Sequence, residues 1–242
     1  MKKNIVVLAA LMLGAASLSA EEASAPSISV SSTLAYDSMY VFRGTQLAES
    51  ILSPAISLGY GNFYGGLWFA LPLNNEELYT HEMDATLGYG YSFNDMVSID
   101  VGVARYTYDE IPGDFFTDYS NSTEFYAGIA LGLPISPAVY VYRDIDYDVT
   151  TLEFRASYSI PMTEKASIDL SASVGYCIPD DGDEYTYYSG AVNLVYAATD
   201  KSSISAGVRL GGSSEEYIFG SASDIDYTES AIWFGCAYSI SL

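Results

Sequence analysis

One histidine, two cysteines and nine basic residues leave this 242-residue chain few groups with which to do chemistry. An imidazole base could come only from His81, at a loop end, and the many serines make any serine–histidine pairing uninformative in sequence. Cys177 and Cys236 fall on strands that are not neighbours, so both read as thiols filling small positions rather than as a disulfide. The shortage of lysine and arginine against 31 acidic residues gives a formal charge of −22. That balance disfavours nucleic acid and anionic lipid headgroups as partners and favours cations near the surface. Beyond residue 20 there is no apolar run of the eighteen or so residues that a membrane-spanning helix needs.

The N-terminus reads as an address. Lys2 and Lys3 form a positive head, Ile5 to Ala16 an apolar core, and Ser17-Leu18-Ser19-Ala20 a small-residue cleavage region, the layout of a secretory signal peptide. We assign residues 1–20 to that leader, 21–26 to a short periplasmic segment and 27–242 to the folded part. Half of the chain is apolar and tyrosine alone occurs 23 times, so the acidity does not imply disorder.

What fills the chain is alternation. In Ser27 to Gly44 the residues Ile28, Val30, Leu34, Tyr36, Tyr40 and Phe42 occupy even positions, with small or polar residues between them until Met39. Period two over such a length predicts a strand with one oily face, longer than the usual soluble strand of about 5–6 residues. The pattern recurs from Met83 to Phe93, Val97 to Val103, Phe125 to Leu133, Leu152 to Ile160, Ile168 to Tyr176, Tyr188 to Tyr196, Ile204 to Leu210 and Ile232 to Leu242. Segments 52–61, 63–73 and 138–147 alternate less cleanly, for about twelve strands in all.

The connections sort into two kinds. Gly61-Asn62, Asn94-Asp95, 134–137, 161–165 and 198–201 are short, and 45–51, 74–81, 109–121, 144–149, 178–185 and 211–227 are longer. Short turns on one side and longer, acid-rich loops on the other predict an all-β fold, a transmembrane antiparallel β-barrel with periplasmic turns and extracellular loops. Hydrocarbon offers backbone groups no water to bond, so strands cross it only in a closed barrel, at about 9–11 tilted residues each. Aromatic residues near strand ends, Tyr40 with Phe42, Tyr89 to Phe93 and Tyr106 with Tyr108, suit interfacial girdles. The rival, a soluble sandwich or ligand-binding barrel, would carry long charged side chains where this chain has serine, alanine and glycine.

If the oily face meets lipid, the other face lines a lumen. Its charged positions are Asp37, Asp84, Asp100, Glu124, Glu153 and Asp169, with Arg43, Arg155 and Arg209. Twelve strands lined by small residues should leave an aqueous channel, and an excess of acid in it should give a weak cation preference. The arginines and the acids Asp84, Glu124 and Glu153 fall toward the loop side. There they would either set a field across a constriction or, the reading we favour, form salt bridges that hold the wall. The expected function is passive diffusion of small hydrophilic solutes. The expected partners are those solutes, outer-membrane lipid and the assembly machinery that inserts barrels, without nucleic acid, cofactor or catalytic residue. A closed barrel serving structure or surface interaction is the first alternative, and a barrel-wall hydrolase the second. The loop "PDDGDEY", Pro179 to Tyr185, holds enough carboxylates for calcium but lacks the twelve-residue EF-hand pattern, so it reads as a solvated acidic loop.

Tyr40-Val41-Phe42-Arg43-Gly44, then Pro54-Ala55-Ile56 and Gly65-Gly66-Leu67-Trp68, resemble the start of the TorF-type outer-membrane porins. "RYTYDEIPGD" before Glu124-Phe125-Tyr126 and "AVYVYRDIDYD" before Leu152-Glu153 are similar to its later segments. The resemblance implies a channel of undefined solute in a Gram-negative outer membrane and supplies no catalytic residues. The chain departs from the usual barrel pattern at its last residue, Leu242, where phenylalanine is commoner.

Overall fold

A computed structural model describes residues 27–73, 81–109, 121–215, 218–221 and 224–242. The leader, the segment 21–26 and most of the loops 74–81 and 109–121 lie outside the described residues, and with them the acids Glu76, Glu77, Glu110, Asp114 and Asp118. The strands are β1 (Ile28–Asp37), β2 (Tyr40–Phe42), β3 (Thr45–Ala48), β4 (Ile51–Tyr60), β5 (Phe63–Pro72), β6 (His81–Asn94), β7 (Val97–Asp109) and β8 (Ser122–Leu131). They continue with β9 (Ala138–Asp144), β10 (Val149–Pro161), β11 (Ala166–Pro179), β12 (Tyr185–Thr199), β13 (Ser202–Ser213), β14 (Ile218–Ser221), β15 (Asp224–Thr228) and β16 (Ser230–Ser241).

The sheet order β1-β16-β13-β12-β11-β10-β9-β8-β7-β6-β5-β4 closes on itself as a twelve-stranded antiparallel barrel. Closure is made by β1, whose Asp37 stands opposite both Ile51 of β4 and Gly235 of β16, so the barrel has no unpaired edge. The other four strands form two separate hairpins, β2-β3 and β14-β15.

The alternation reads out as two faces. On β12, Tyr187, Ala191 and Val195 are buried inside the barrel while Tyr188, Val192, Leu194 and Tyr196 are exposed outside it. Across the molecule the large apolar residues are the exposed ones, with Leu87 62% and Ile232 74% accessible, whereas Glu82 and Glu124 inside are 2% and 1%. An apolar exterior of this extent belongs against acyl chains. At the periplasmic end Tyr60, Phe63, Tyr91 and Phe93 face outward, and the Phe63 and Tyr89 rings meet edge-on at 5.0 Å, which is the expected girdle at that boundary. Cys177 is buried on β11 and Cys236 is exposed on β16, with β12 and β13 between them, and both are free.

The first strand departs from expectation. It does not run from Ser27 to Gly44 within the wall but ends at Asp37, and Ser38 closes it with reciprocal bonds to Phe234, its N–H donating to the carbonyl at 2.9 Å and its Oγ accepting from the N–H at 3.1 Å. The chain then turns into the barrel as the β2-β3 hairpin. Tyr40, expected in an interfacial girdle, is 4% exposed inside, and so is Tyr106 of β7. The periodicity misleads here because a hairpin inside the lumen alternates like a strand of the wall. Period two identifies a strand without saying which sheet it joins.

A lumen crossed by a hairpin

The β2-β3 hairpin turns through Arg43 and Gly44, whose φ angles of 48° and 81° are the paired positive values that a two-residue hairpin of the I′ class requires. Glycine is free to adopt such a value, whereas arginine there costs about 1–2 kcal/mol. Arg43 is held against that cost. Its Nη1 and Nη2 donate to the two oxygens of Glu124 on β8 at 2.6 and 2.9 Å, and its guanidinium lies 4.8 Å from the Phe42 ring centroid and 4.6 Å from that of Tyr142 on β9. Glu124 also accepts from the Tyr106 hydroxyl at 3.0 Å. At the root of the hairpin Tyr40 donates to Glu82 of β6 at 2.9 Å, and Tyr40, Ala48, Ile51 and Ala70 pack as a small apolar cluster against Trp68.

The tip reaches the far wall as well. A Cβ on Gly44 would stand 2.7 Å from Cβ of Ser213, 2.8 Å from the Gly212 carbonyl and 2.9 Å from Cβ of Tyr187, so only glycine permits this approach to β12 and β13. The hairpin therefore spans from β8 on one side to β12 and β13 on the other. On its periplasmic side lies a cavity of about 620 Å³ that runs from Phe42, Arg43 and Gly44 down to the turns at Asn62, Asp95 and Ser136. A second space of about 400 Å³ adjoins it and shares Tyr64, Asp100, Tyr140 and Arg155 as lining.

The wall from β5 to β9 is built of tyrosines seated on glycines. Tyr64 stands opposite Gly88, Tyr126 opposite Gly102 and Tyr140 opposite Gly128 across adjacent strands. A Cβ on Gly88, Gly102 or Gly128 would fall 2.3–2.4 Å from the facing ring, so each glycine is a seat that lets a phenol lie flat on the wall. Tyr187 rests on Gly175 of β11 in the same way. The small residues between the oily ones are thus partly the beds of large side chains, and the lumen holds less open water than their size alone predicts.

Of the nine residues expected to line the lumen, Asp37, Asp84, Asp100, Glu124, Glu153, Arg155, Asp169 and Arg209 stand on wall strands and Arg43 stands in the turn of the inner hairpin. The three arginines are all in ion pairs: Arg43 with Glu124, Arg155 with Glu153, and Arg209 with Asp37 at 2.8 Å. The favoured reading, salt bridges rather than a free transverse field, describes this arrangement. Arg155 also donates to the Tyr142 hydroxyl and lies 4.4 Å from the Tyr140 ring centroid, and Glu153 accepts from Tyr187 at 2.5 Å. Asp84, Asp100 and Asp169 have no cationic partner among the described residues. Asp100 accepts from Tyr64 at 2.6 Å and from Tyr140 at 3.1 Å, and Asp169 from Ser159 at 2.6 Å and Ser167 at 2.8 Å. Asp84 is 6% exposed, and its Oδ1 has no hydrogen-bond partner.

Sequence reasoning left out the aromatic residues Tyr64, Tyr126, Tyr140 and Tyr142, the carboxylate of Glu82 and the hairpin itself. The dipeptide Arg43-Gly44 between two short alternating runs was the available signal for the hairpin. Outside the lumen, Arg105 and Arg143 sit on the outward face at the extracellular rim. Arg143 binds Asp180 through both nitrogens at 2.8 and 2.9 Å and Asp148 at 2.8 Å. That pairing ties Asp180 of the "PDDGDEY" loop to the barrel, and the Arg143 guanidinium holds its carboxyl below the usual carboxylate range. His81 begins β6 at the same rim.

Residues 20–235 match the model of a family described as "Bacterial protein of unknown function (Gcw_chp)", and the TorF likeness rests on the quoted segments alone. No curated protein matches the sequence. Among solved structures, the chain is similar to a KdgM porin in complex with disordered oligogalacturonate, with a TM-score of 0.57 at 13% identity over 88% of this chain and 99% of that one. It is also similar to the NanC porin, with a TM-score of 0.55 at 8% identity over 89% of this chain and 100% of that one. At such identities the likeness concerns the barrel fold.

Proposed function

The chain belongs to the Gcw_chp family, and we propose that it is an outer-membrane porin, a passive diffusion channel for small hydrophilic solutes with a weak preference for cations. The observation that carries the preference is the pairing inside the lumen. Every inward arginine is already paired with a carboxylate, while Asp100 and Asp169 have no ion-pair partner among the described residues. A permeating ion meets a surplus of negative charge, and acidic linings favour cations. The likeness to porin barrels and to TorF-type segments supports the channel reading, as does the cavity beneath the hairpin. The oligogalacturonate of the KdgM porin is a polyanion, and nothing here recommends it as this chain's solute, because no lumen arginine is left over to receive a carboxylate.

An exported barrel of this type places its oily belt in the outer membrane, its short turns in the periplasm and its acidic loops outside. Reversal potentials across planar bilayers in a potassium chloride gradient test the proposal, with a shift toward the potassium potential expected. A shift toward the chloride potential overturns the preference. The hairpin favours a second reading, a barrel whose lumen is closed and whose role is structural. Persistent silence of correctly folded protein in the bilayer would select it.

A further inference from the structure

We infer that Asp100, with Tyr64, Tyr126 and Tyr140 around it, forms a binding site for an organic ammonium ion in the periplasmic half of the lumen. The inference rests on the reading that the lumen admits cations and adds the class of cation that it retains. Asp100 stands in the wall between Gly90 on one neighbouring strand and Gly128 on the other, so no side chain directly opposite screens its carboxylate from the lumen. Its protein bonds come from neutral phenols, Tyr64 at 2.6 Å on Oδ1 and Tyr140 at 3.1 Å on Oδ2, and the Tyr64 and Tyr126 hydroxyls are themselves 2.5 Å apart. Phenols orient the carboxylate and leave its charge in place. Arg155, the nearby cation, lies over the Tyr140 ring at 4.4 Å but gives its Nε to Glu153 and its Nη2 to the Tyr142 hydroxyl and makes no hydrogen bond to Asp100.

The rings are fixed before any ligand arrives, since Gly88, Gly102 and Gly128 seat Tyr64, Tyr126 and Tyr140 flat on the wall with no room for a Cβ beneath them. Tyr64 and Tyr140 line the larger space beside this fixed negative charge, and Tyr126, packed against them, lines the second. A calcium or magnesium ion would need six or more oxygen ligands, which one carboxylate does not supply, and no cluster of three or more metal-ligating side chains occurs among the described residues. An alkylated ammonium is weakly hydrated and gains from aromatic faces and a single counter-charge, the combination present here. Asp100, Tyr64 and Tyr140 line both spaces below the hairpin, and the larger, about 620 Å³, admits such an ion with room to leave.

Titration of the folded full-length protein in detergent micelles with tetramethylammonium chloride, read by saturation-transfer NMR on the probe's methyl signal, tests the site against sodium chloride at equal ionic strength. Saturable binding is expected, weakened at least tenfold in Asp100→Asn and several-fold in Tyr126→Leu, with folding of each variant verified by the heat-dependent shift in gel mobility. Absence of saturation in the wild type, or equal affinity in the variants that fold, overturns the inference. The assay needs no conductance, so a barrel that binds tetramethylammonium through Asp100 yet prefers anions in the bilayer would refute the selectivity reading and leave this site standing.

Discussion

Two walls face each other across the lumen, and they are built differently from the same pattern. From β5 to β9 the inward positions carry Tyr64, Trp68, Tyr106, Tyr126, Tyr140 and Tyr142 with the acids Asp84, Asp100 and Glu124. From β11 through β13 and β16 to β1 they carry mainly serine, alanine and glycine, stitched by short bonds such as Ser173 to Ser189 at 2.8 Å and Thr33 to Ser239 at 2.9 Å. The outer faces of both walls are equally oily because both meet the same solvent. The inner faces differ in how they meet the hairpin, the first wall bonding it through Glu82 and Glu124 and the second touching its tip at Gly44. Lipid constrains the exterior, and the lumen is free to specialise.

The largest expected effect comes from the element that joins the walls. Replacing residues 40–48 by a short glycine-serine linker should raise single-channel conductance several-fold, and an unchanged conductance would show that the hairpin does not restrict the passage. A smaller version of the same break is Arg43→Ala, which leaves Glu124 buried beside Tyr106 with no cation. Removing one partner of a buried pair costs about 3–5 kcal/mol, measurable by urea unfolding in detergent.

The seats sharpen the contrast further. Gly88→Ala or Gly102→Ala drives a Cβ into a tyrosine ring and should cost about 1–3 kcal/mol. Gly190→Ala, on the outward face where the nearest heavy atom would be 3.5 Å away, should cost little, and equal losses at all three positions would remove the seating argument. The smallest effect lies at the rim. Asp180 has its carboxyl held down by Arg143, so the stabilisation it contributes is present above its ordinary value of 3.8 and is lost as pH falls through the lowered one. NMR titration of the Asp180 side chain should place its midpoint below 3.8, and Arg143→Gln should restore it.

Much of this barrel was legible in one dimension, for a reason that the exceptions make plain. A wall strand must offer hydrocarbon an unbroken oily face, so its alternation survives in Met83 to Phe93 or Ile204 to Leu210, and the inward register of Asp100, Glu153 and Arg209 follows from period two alone. Tyr64, Tyr126 and Tyr140 were harder to place because an isolated tyrosine is at home at an interface, inside a lumen or on a girdle. Only the glycine opposite, on another strand, says which. The end of the segment from Ser27 to Gly44 departs from the wall for the same reason, since alternation past Ser38 is common to a wall and to a hairpin folded inside it.

By itself, then, the order of residues determined the number of crossings, the side that the apolar and charged side chains of the wall face and the surplus of acid within. Those depend on neighbours one or two positions away and on the demand of the bilayer for a sealed backbone. The tertiary structure alone decided which carboxylate each arginine takes, that Arg43 lies across the lumen against Glu124, and that glycines carry tyrosines, because these pairings join strands whose meeting is settled only when the barrel closes.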